Sequence, residues 1–151
     1  MIAKYGVFLL GVAMTKRLIV LLLLLFCTSV VYAQESNILE KVENSARSWL
    51  GLVDSGKYKE SWENSSALFK LKTSESEWIK LITAIRASRG AMSARYIATA
   101  ASGKSLSGFP DGEYVVLQFY TTFPEKGLAF ETVTLAKAQN ETWQVTEYSI
   151  K

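Results

Sequence analysis

The spacing of apolar residues along this chain changes at Gly90. Before Gly90, apolar residues recur every three or four positions, which is typical of helices with one buried face. After Gly90, they alternate with polar residues, which is typical of strands with one buried face. Helices followed by hairpin-linked strands favour an α+β fold in which the helices pack on one face of an antiparallel sheet. Residues 34–151 are predicted to form a single domain of this kind.

Three helices are predicted before Gly90, and local signals mark the ends of two of them. Gly56 suits the left-handed conformation that commonly follows a helix, so the first helix should end beside it. Ser74 and Glu77 have the spacing of a capping box, which predicts that the third helix begins there. The second helix is predicted to be one continuous element whose buried face carries three aromatic residues: Tyr58, Trp62 and Phe69.

Four strands are predicted after Gly90, and Gly-rich or Pro-containing turns separate them. The second of these strands has the strongest β character, because β-branched and aromatic residues dominate it. The predicted strands cover residues 93–101, 113–123, 128–137 and 142–150.

Residues 1–33 are predicted to be a signal peptide. A short basic segment from Met14 to Arg17 precedes the apolar run 18–27, and Ala33 provides the small residue that signal peptidase needs. A single-pass anchor is disfavoured, because residues 18–33 are fewer than the ~20 that span a bilayer. Phe26 stands before Cys27, which does not fit a lipoprotein signal. The protein is therefore expected to be periplasmic or secreted after cleavage behind Ala33, without a stable membrane anchor.

The start of the signal peptide is expected to lie at Met14 rather than at Met1. Met14 alone opens a well-formed signal, so residues 1–13 are not needed for it. The prediction is that translation begins at Met14.

Composition excludes several classes of site. The chain has no His and one Cys, Cys27, which lies in the predicted signal peptide. The rest of the chain therefore cannot form a His-based triad, a Cys/His zinc site or a disulfide. The net charge of +3 belongs to the signal peptide, so no nucleic-acid partner is expected. No metal and no cofactor are expected either.

Several short motifs resemble those of a known family. The stretch 54–58 (DSGKY) followed by Ser61 and Trp62 is similar to the entry motif of nuclear-transport-factor-2-like (cystatin-like) domains. Over residues 40–151 the chain resembles the bacterial secreted family called domain of unknown function 4019. The resemblance implies a cone in which helices close over a strongly curved four-stranded antiparallel sheet, and it implies no activity. Further matching pieces are Trp78, Arg89, Gly90, 93–95, 110–115, 131–135, 143–145 and Tyr148.

Glu131 is the strongest candidate for a catalytic residue. It lies on the apolar face of its predicted strand, where desolvation would raise its pKa and suit it to act as an acid or base. The alternative is an ion pair with Arg95, Arg86 or Arg89, which cluster at the helix-to-strand turn. We favour the ion pair, because no His or second carboxylate lies in register with Glu131.

Aromatic and basic residues are the remaining site candidates. Six aromatic side chains could line a pocket for an apolar or aromatic ligand: Trp49, Trp62, Trp78, Trp143, Tyr58 and Phe119. Each lies on an apolar stripe, however, so a place in the core is favoured. The three arginines could hold an anionic ligand, but solvated turns and ion pairs have the same composition.

These observations favour an exported, non-catalytic binding or interaction module whose partner is an unknown small ligand or protein. One alternative is a small enzyme that uses Glu131 as acid or base. Another is a self-associating domain that forms a homodimer through the outer face of the sheet, where Tyr114, Tyr120 and Phe130 are expected to lie.

Overall fold

A computed structural model describes residues 37–151. The predicted signal peptide, its cleavage after Ala33 and the start at Met14 therefore lie outside the described residues. Residues 37–54 form helix α1, and residues 41–151 form one compact unit. Among the described residues, no helix has the length and apolar character that a bilayer crossing requires.

Three further helices follow: α2 (Tyr58–Glu63), α3 (Ala67–Lys72) and α4 (Glu75–Arg89). The prediction of one continuous second helix is wrong, because the chain is extended at Ser66 (ψ 163°) between α2 and α3. The Ser66 side chain caps α3 by accepting a hydrogen bond from the Phe69 backbone N–H at 3.2 Å. Its own backbone N–H donates to the carbonyl of Val145 in the sheet at 2.9 Å. A contact with a distant strand therefore breaks the helix.

The predicted start and end of the third helix are confirmed in α4. The Ser74 hydroxyl caps the backbone N–H of Glu77, and the Glu77 carboxylate accepts the backbone N–H of Ser74 in return. These hydrogen bonds lower the pKa of Glu77. Gly90 follows α4 with φ 78°, a conformation that a side chain would strain.

The strands are β1 (Ala94–Gly103), β2 (Tyr114–Phe123), β3 (Gly127–Lys137) and β4 (Trp143–Ile150). They form a curved, unclosed antiparallel sheet in the order β1-β2-β3-β4. The predicted α+β class is confirmed. Fourteen buried apolar residues of the helices and the sheet form one core cluster: Val42, Ala46, Trp49, Leu50, Val53, Phe69, Trp78, Ile82, Val115, Leu117, Phe119, Val133, Leu135 and Val145.

The outer face of the sheet carries a row of aromatic side chains on neighbouring strands. Tyr96 pairs with Tyr120, and Tyr120 pairs with Phe130, whose ring centroid lies 4.7 Å from that of Tyr120. Tyr114 does not belong to this exposed row, which corrects the expectation. It is buried beside the 104–112 loop, where its hydroxyl donates to the carbonyl of Pro110 at 2.7 Å.

Candidate functional site

Glu131 lies on the inner face of β3 with no solvent exposure, and four side chains donate hydrogen bonds to it. Oε1 accepts from the Tyr148 hydroxyl at 2.7 Å and from Arg86 Nη2 at 3.3 Å. Oε2 accepts from Arg95 Nε at 2.6 Å and from the Thr121 hydroxyl. A carboxylate offers about four lone-pair positions, so the acceptor capacity of Glu131 is used in full.

Asp54, at the end of α1, joins the same network from its rim. Its two oxygens accept from Arg95 Nη1 at 2.6 Å and Nη2 at 3.1 Å, in the bidentate geometry that suits a guanidinium. Arg86 Nη2 also lies 3.0 Å from Asp54 Oδ1. Two carboxylates and two guanidiniums thus balance in charge and connect α1, α4, β1 and β3. The side chain of Asp54 remains 20% exposed, whereas the two arginines are nearly buried.

The electrostatics of the network keep Glu131 ionised. Burial by itself raises the pKa of its carboxyl, but the hydrogen bonds and the charge of Arg95 outweigh burial, so the pKa is lowered. Burial and the nearby Glu131 charge raise the pKa of Tyr148, which therefore keeps its proton and donates it to Glu131. A carboxylate with a lowered pKa and no open lone pair is poorly suited to acid–base chemistry.

The structure brings together two of the three arginines that the sequence placed near Glu131. Arg95 and Arg86 contact it, whereas the Arg89 guanidinium lies over the Phe123 ring at 5.8 Å from its centroid. One nitrogen, Arg86 Nε, is buried without a hydrogen-bond partner among the described residues.

Sequence reasoning did not find three members of the network: Asp54, Thr121 and Tyr148. Asp54 and Tyr148 belong to the motifs that resemble the family. These motifs indicated that the two residues are important, but they did not indicate which residues they contact. Thr121 has the same strand parity as the apolar residues on the inner face of β2, and this pattern alone could have indicated a buried hydroxyl.

Three of the four tryptophans satisfy their indole N–H inside the fold. Trp49 donates to the Ser61 carbonyl at 2.8 Å, and Trp78 donates to the Ser61 hydroxyl at 2.9 Å. Trp62 donates to the Thr73 carbonyl at 2.9 Å, which ties α2 to the turn before α4. Because buried indoles normally find such acceptors, these three contacts are structural.

Trp143 is half-buried and also packs against the core cluster, but its indole N–H has no acceptor among residues 37–151 and reaches solvent instead. It lines a groove of about 560 Å³ that is open to solvent between α1 and the start of β4. No lining residue carries a charge. The lining consists of Asn44, Ser45, Ser48, Trp49, Leu52, Asn64, Thr142, Trp143, Gln144 and Val145.

The other aromatic candidates lie in the core or at its edge. Phe119 is fully buried, and the Arg47 guanidinium covers its ring at 5.5 Å from the centroid. Tyr58 and Trp62 are half-buried and pack against the core cluster. Two of the aromatic residues that the sequence named as pocket candidates, Trp49 and Trp143, line the groove. The polar residues of α1 that line the groove were not predicted, because in the sequence they are indistinguishable from the solvated face of a helix.

The chain matches a protein family and is similar in fold to solved structures. The family described as "Protein of unknown function (DUF4019)" matches residues 45–148. No curated protein matches the chain. A solved structure from Catenulispora acidiphila is similar with a TM-score of 0.50 and 12% identity, covering 78% of this chain and 93% of that one. The structure of Aln2 from a Streptomyces species has a TM-score of 0.49 and 10% identity, covering 76% of this chain and 90% of that one.

Proposed function

This chain belongs to the DUF4019 family, whose description assigns no activity, and we propose from its own residues that it is an exported, non-catalytic binding module. Its ligand would lie in the groove beside Trp143. The observation that carries this proposal is a half-buried tryptophan at the edge of an uncharged groove, whose N–H reaches solvent without an acceptor in the described part of the chain.

The state of Glu131 weighs against an enzyme built on that residue. Arg95, Arg86, Thr121 and Tyr148 occupy its oxygens, and solvent does not reach it. A general base must come within hydrogen-bond reach of the proton that it abstracts, which this packing prevents. The network instead supports a structural role, in which it holds the end of α1 and the α4 helix on the sheet.

The groove combines apolar and polar lining residues, as recognition sites do, although polar residues are the majority here. Ligand pockets combine apolar walls with a few well-placed polar groups, and a volume of roughly 300–1,000 Å³ is usual for them. Here Trp49, Leu52 and Val145 supply the apolar part, and amide and hydroxyl side chains supply the polar part. Eight of the ten lining residues come from α1 and β4, so most of the recognition groups are held on rigid elements.

Self-association through the outer face of the sheet is the second candidate. Tyr96 and Leu128 are 68% and 64% exposed there, and Tyr120 is 43% exposed beside them. Contiguous exposed apolar side chains often mark protein–protein contacts. This candidate is compatible with the first, since the groove lies between α1 and β4 rather than on the outer face.

Native mass spectrometry of the protein purified from its own host tests both candidates. We expect a bound small-molecule mass that is lost from Trp143→Ala and kept by the matched control Tyr96→Ala, an aromatic truncation on the outer face. A ligand that Trp143→Ala retains in full would contradict the groove as the binding site. A dimer that Tyr96→Ala converts to monomer would establish the second candidate.

Export is tested by the intact mass of the released protein. We expect a species that begins at Gln34 and ends at Lys151, because signal peptidase would cleave after Ala33. A full-length form that stays in the membrane fraction would contradict export. Replacement of Ala33 by a bulky residue is the matched control and should leave the precursor uncleaved.

A further inference from the structure

We propose that the groove beside Trp143 binds a neutral carbohydrate, with the indole stacked on a sugar ring and the polar side chains of α1 and β4 hydrogen-bonded to its hydroxyls. This inference rests on the proposed function and narrows it to one class of ligand.

The first step is the charge of the groove. None of its ten lining residues is ionisable, so an anionic ligand would find no guanidinium or ammonium within the lining. A cationic ligand would likewise find no carboxylate. Charged ligands lose strong hydration when they are bound, and they need an opposite charge to compensate for it. The lining therefore favours a neutral molecule.

The second step is the type of hydrogen bond that the lining side chains can form. Asn44 and Gln144 carry amides, and Ser45 and Ser48 carry hydroxyls, so each of these side chains can donate as well as accept. None of the four side chains forms a hydrogen bond to another described residue, which leaves their capacity free. A sugar hydroxyl also donates and accepts, and it matches such groups. A purely apolar ligand would leave these groups unpaired, at a cost in binding free energy.

The third step is the place of Trp143. An indole is a large planar apolar ring system with a polar N–H at its edge. It therefore suits a ligand that has an apolar side and a solvent-exposed polar side. The C–H face of a pyranose ring is apolar, while its rim carries hydroxyls. Trp143 provides both halves of this match, because its ring lines the groove and its N–H reaches solvent without an acceptor in the described chain. The buried Trp49 and Val145 form an apolar floor beside it.

The fourth step is the shape of the site. It is an open groove of about 560 Å³, not a sealed cavity. An open groove admits one segment of a longer chain whose ends continue into solvent. An oligosaccharide therefore fits it better than a small molecule that must be enclosed.

Titrations followed by the indole ¹H–¹⁵N resonances of the full chain test the inference. The probes are neutral hexose, pentose and N-acetylhexosamine oligosaccharides, with an oligogalacturonate as the charged comparison. We expect a saturable shift of the Trp143 resonance with at least one neutral probe. The Trp62 and Trp78 resonances should move little, because both residues lie outside the groove lining and their N–H groups are bound internally.

Variants of the groove give the second readout. Trp143→Ala should weaken binding at least about tenfold, as expected for a central aromatic anchor. Trp143→Phe keeps a ring but loses the N–H, and Ser48→Ala loses one hydroxyl, so each should weaken binding roughly two- to tenfold. Tyr96→Ala, on the outer face, should bind as the unmodified protein does.

Three results would overturn the carbohydrate inference, and they differ in what they mean for the proposed function. If no neutral oligosaccharide shifts Trp143, but neutral N-acetyl amino-acid amides do, the ligand class is wrong and the groove remains a binding site. If neither set of probes shifts Trp143, the groove is not a binding site and both proposals fail. Equal binding of the oligogalacturonate would also overturn the inference, because it would show that charge is tolerated.

Discussion

Replacement of Glu131 by Gln is expected to lower the free energy of unfolding by about 3–5 kcal/mol at neutral pH, the cost of removing one partner from a buried ion pair. The amide would leave the nearly buried Arg95 and Arg86 with Asp54 as their remaining partner in the network. It would also present an N–H₂ group to donors that now meet a carboxylate. Urea titrations of the unmodified protein and the variant measure this loss.

The pH dependence of the same variant follows from the lowered pKa of Glu131. Its pKa in the folded state lies below the unfolded value of about 4.3. The carboxylate therefore stabilises the fold fully above that value, and this stabilisation is lost as pH falls through the folded-state pKa. The difference between the unmodified protein and Glu131→Gln should be largest near neutral pH and should shrink as the solution becomes acidic.

Glu113→Gln is the matched control, since Glu113 forms an exposed pair with Lys137 at 3.6 Å. Exposed pairs contribute about 0–1 kcal/mol, so this variant should change stability little. If Glu131→Gln proved as stable as the unmodified protein at neutral pH, the structural account of Glu131 would be wrong. An acid–base role would then have to be considered again.

Replacement of Trp78 by Ala is expected to cost about 3–5 kcal/mol, the usual range for truncating a buried aromatic residue. Trp78 is 2% exposed, and its ring centroid lies 5.1 Å from that of Phe69 and 5.5 Å from that of Trp49. The truncation would open a cavity between α4 and the sheet. It would also remove the donor that now binds the hydroxyl of the buried Ser61.

Trp62→Ala is the natural comparison, because Trp62 is half-buried at the edge of the core and donates one hydrogen bond to Thr73. The stability lost in Trp62→Ala should be clearly smaller than that lost in Trp78→Ala, although the sequence favoured a place in the core for Trp62 as well. Chemical denaturation of both variants measures the difference. Equal losses of unfolding free energy would contradict this prediction. They would mean that the difference in solvent exposure between the two tryptophans does not determine how much each stabilises the fold.

The order of elements and several of their ends could be predicted because they depend on residues close in the chain. The capping box at Ser74 requires Glu77, three residues away, and Gly90 needs no partner to adopt φ 78°. The strand pattern after Gly90 likewise follows from alternation within each strand. Such short-range interactions are the same in any fold that contains these segments, so they could be recognised without tertiary contacts.

The break between α2 and α3 could not be predicted, because part of its cause lies far away in the chain. Ser66 is held by the Val145 carbonyl, and its hydroxyl also lies 2.6 Å from that of Thr146. These contacts with β4 compete with a continuous helix through residues 58–72. A pattern that covers one turn of helix carries no information about them.

The candidate sites likewise depend partly on local sequence patterns and partly on tertiary structure. Strand parity predicted that Glu131 faces the apolar side of the sheet, and the need to neutralise a buried charge predicted an arginine partner. Tertiary structure alone chose Arg95 and Arg86 over Arg89, because strand register and the position of α4 set which guanidinium reaches the carboxylate. The groove beside Trp143 has the same origin: its lining joins α1 to residues of β4 at the far end of the chain, and only folding brings them together.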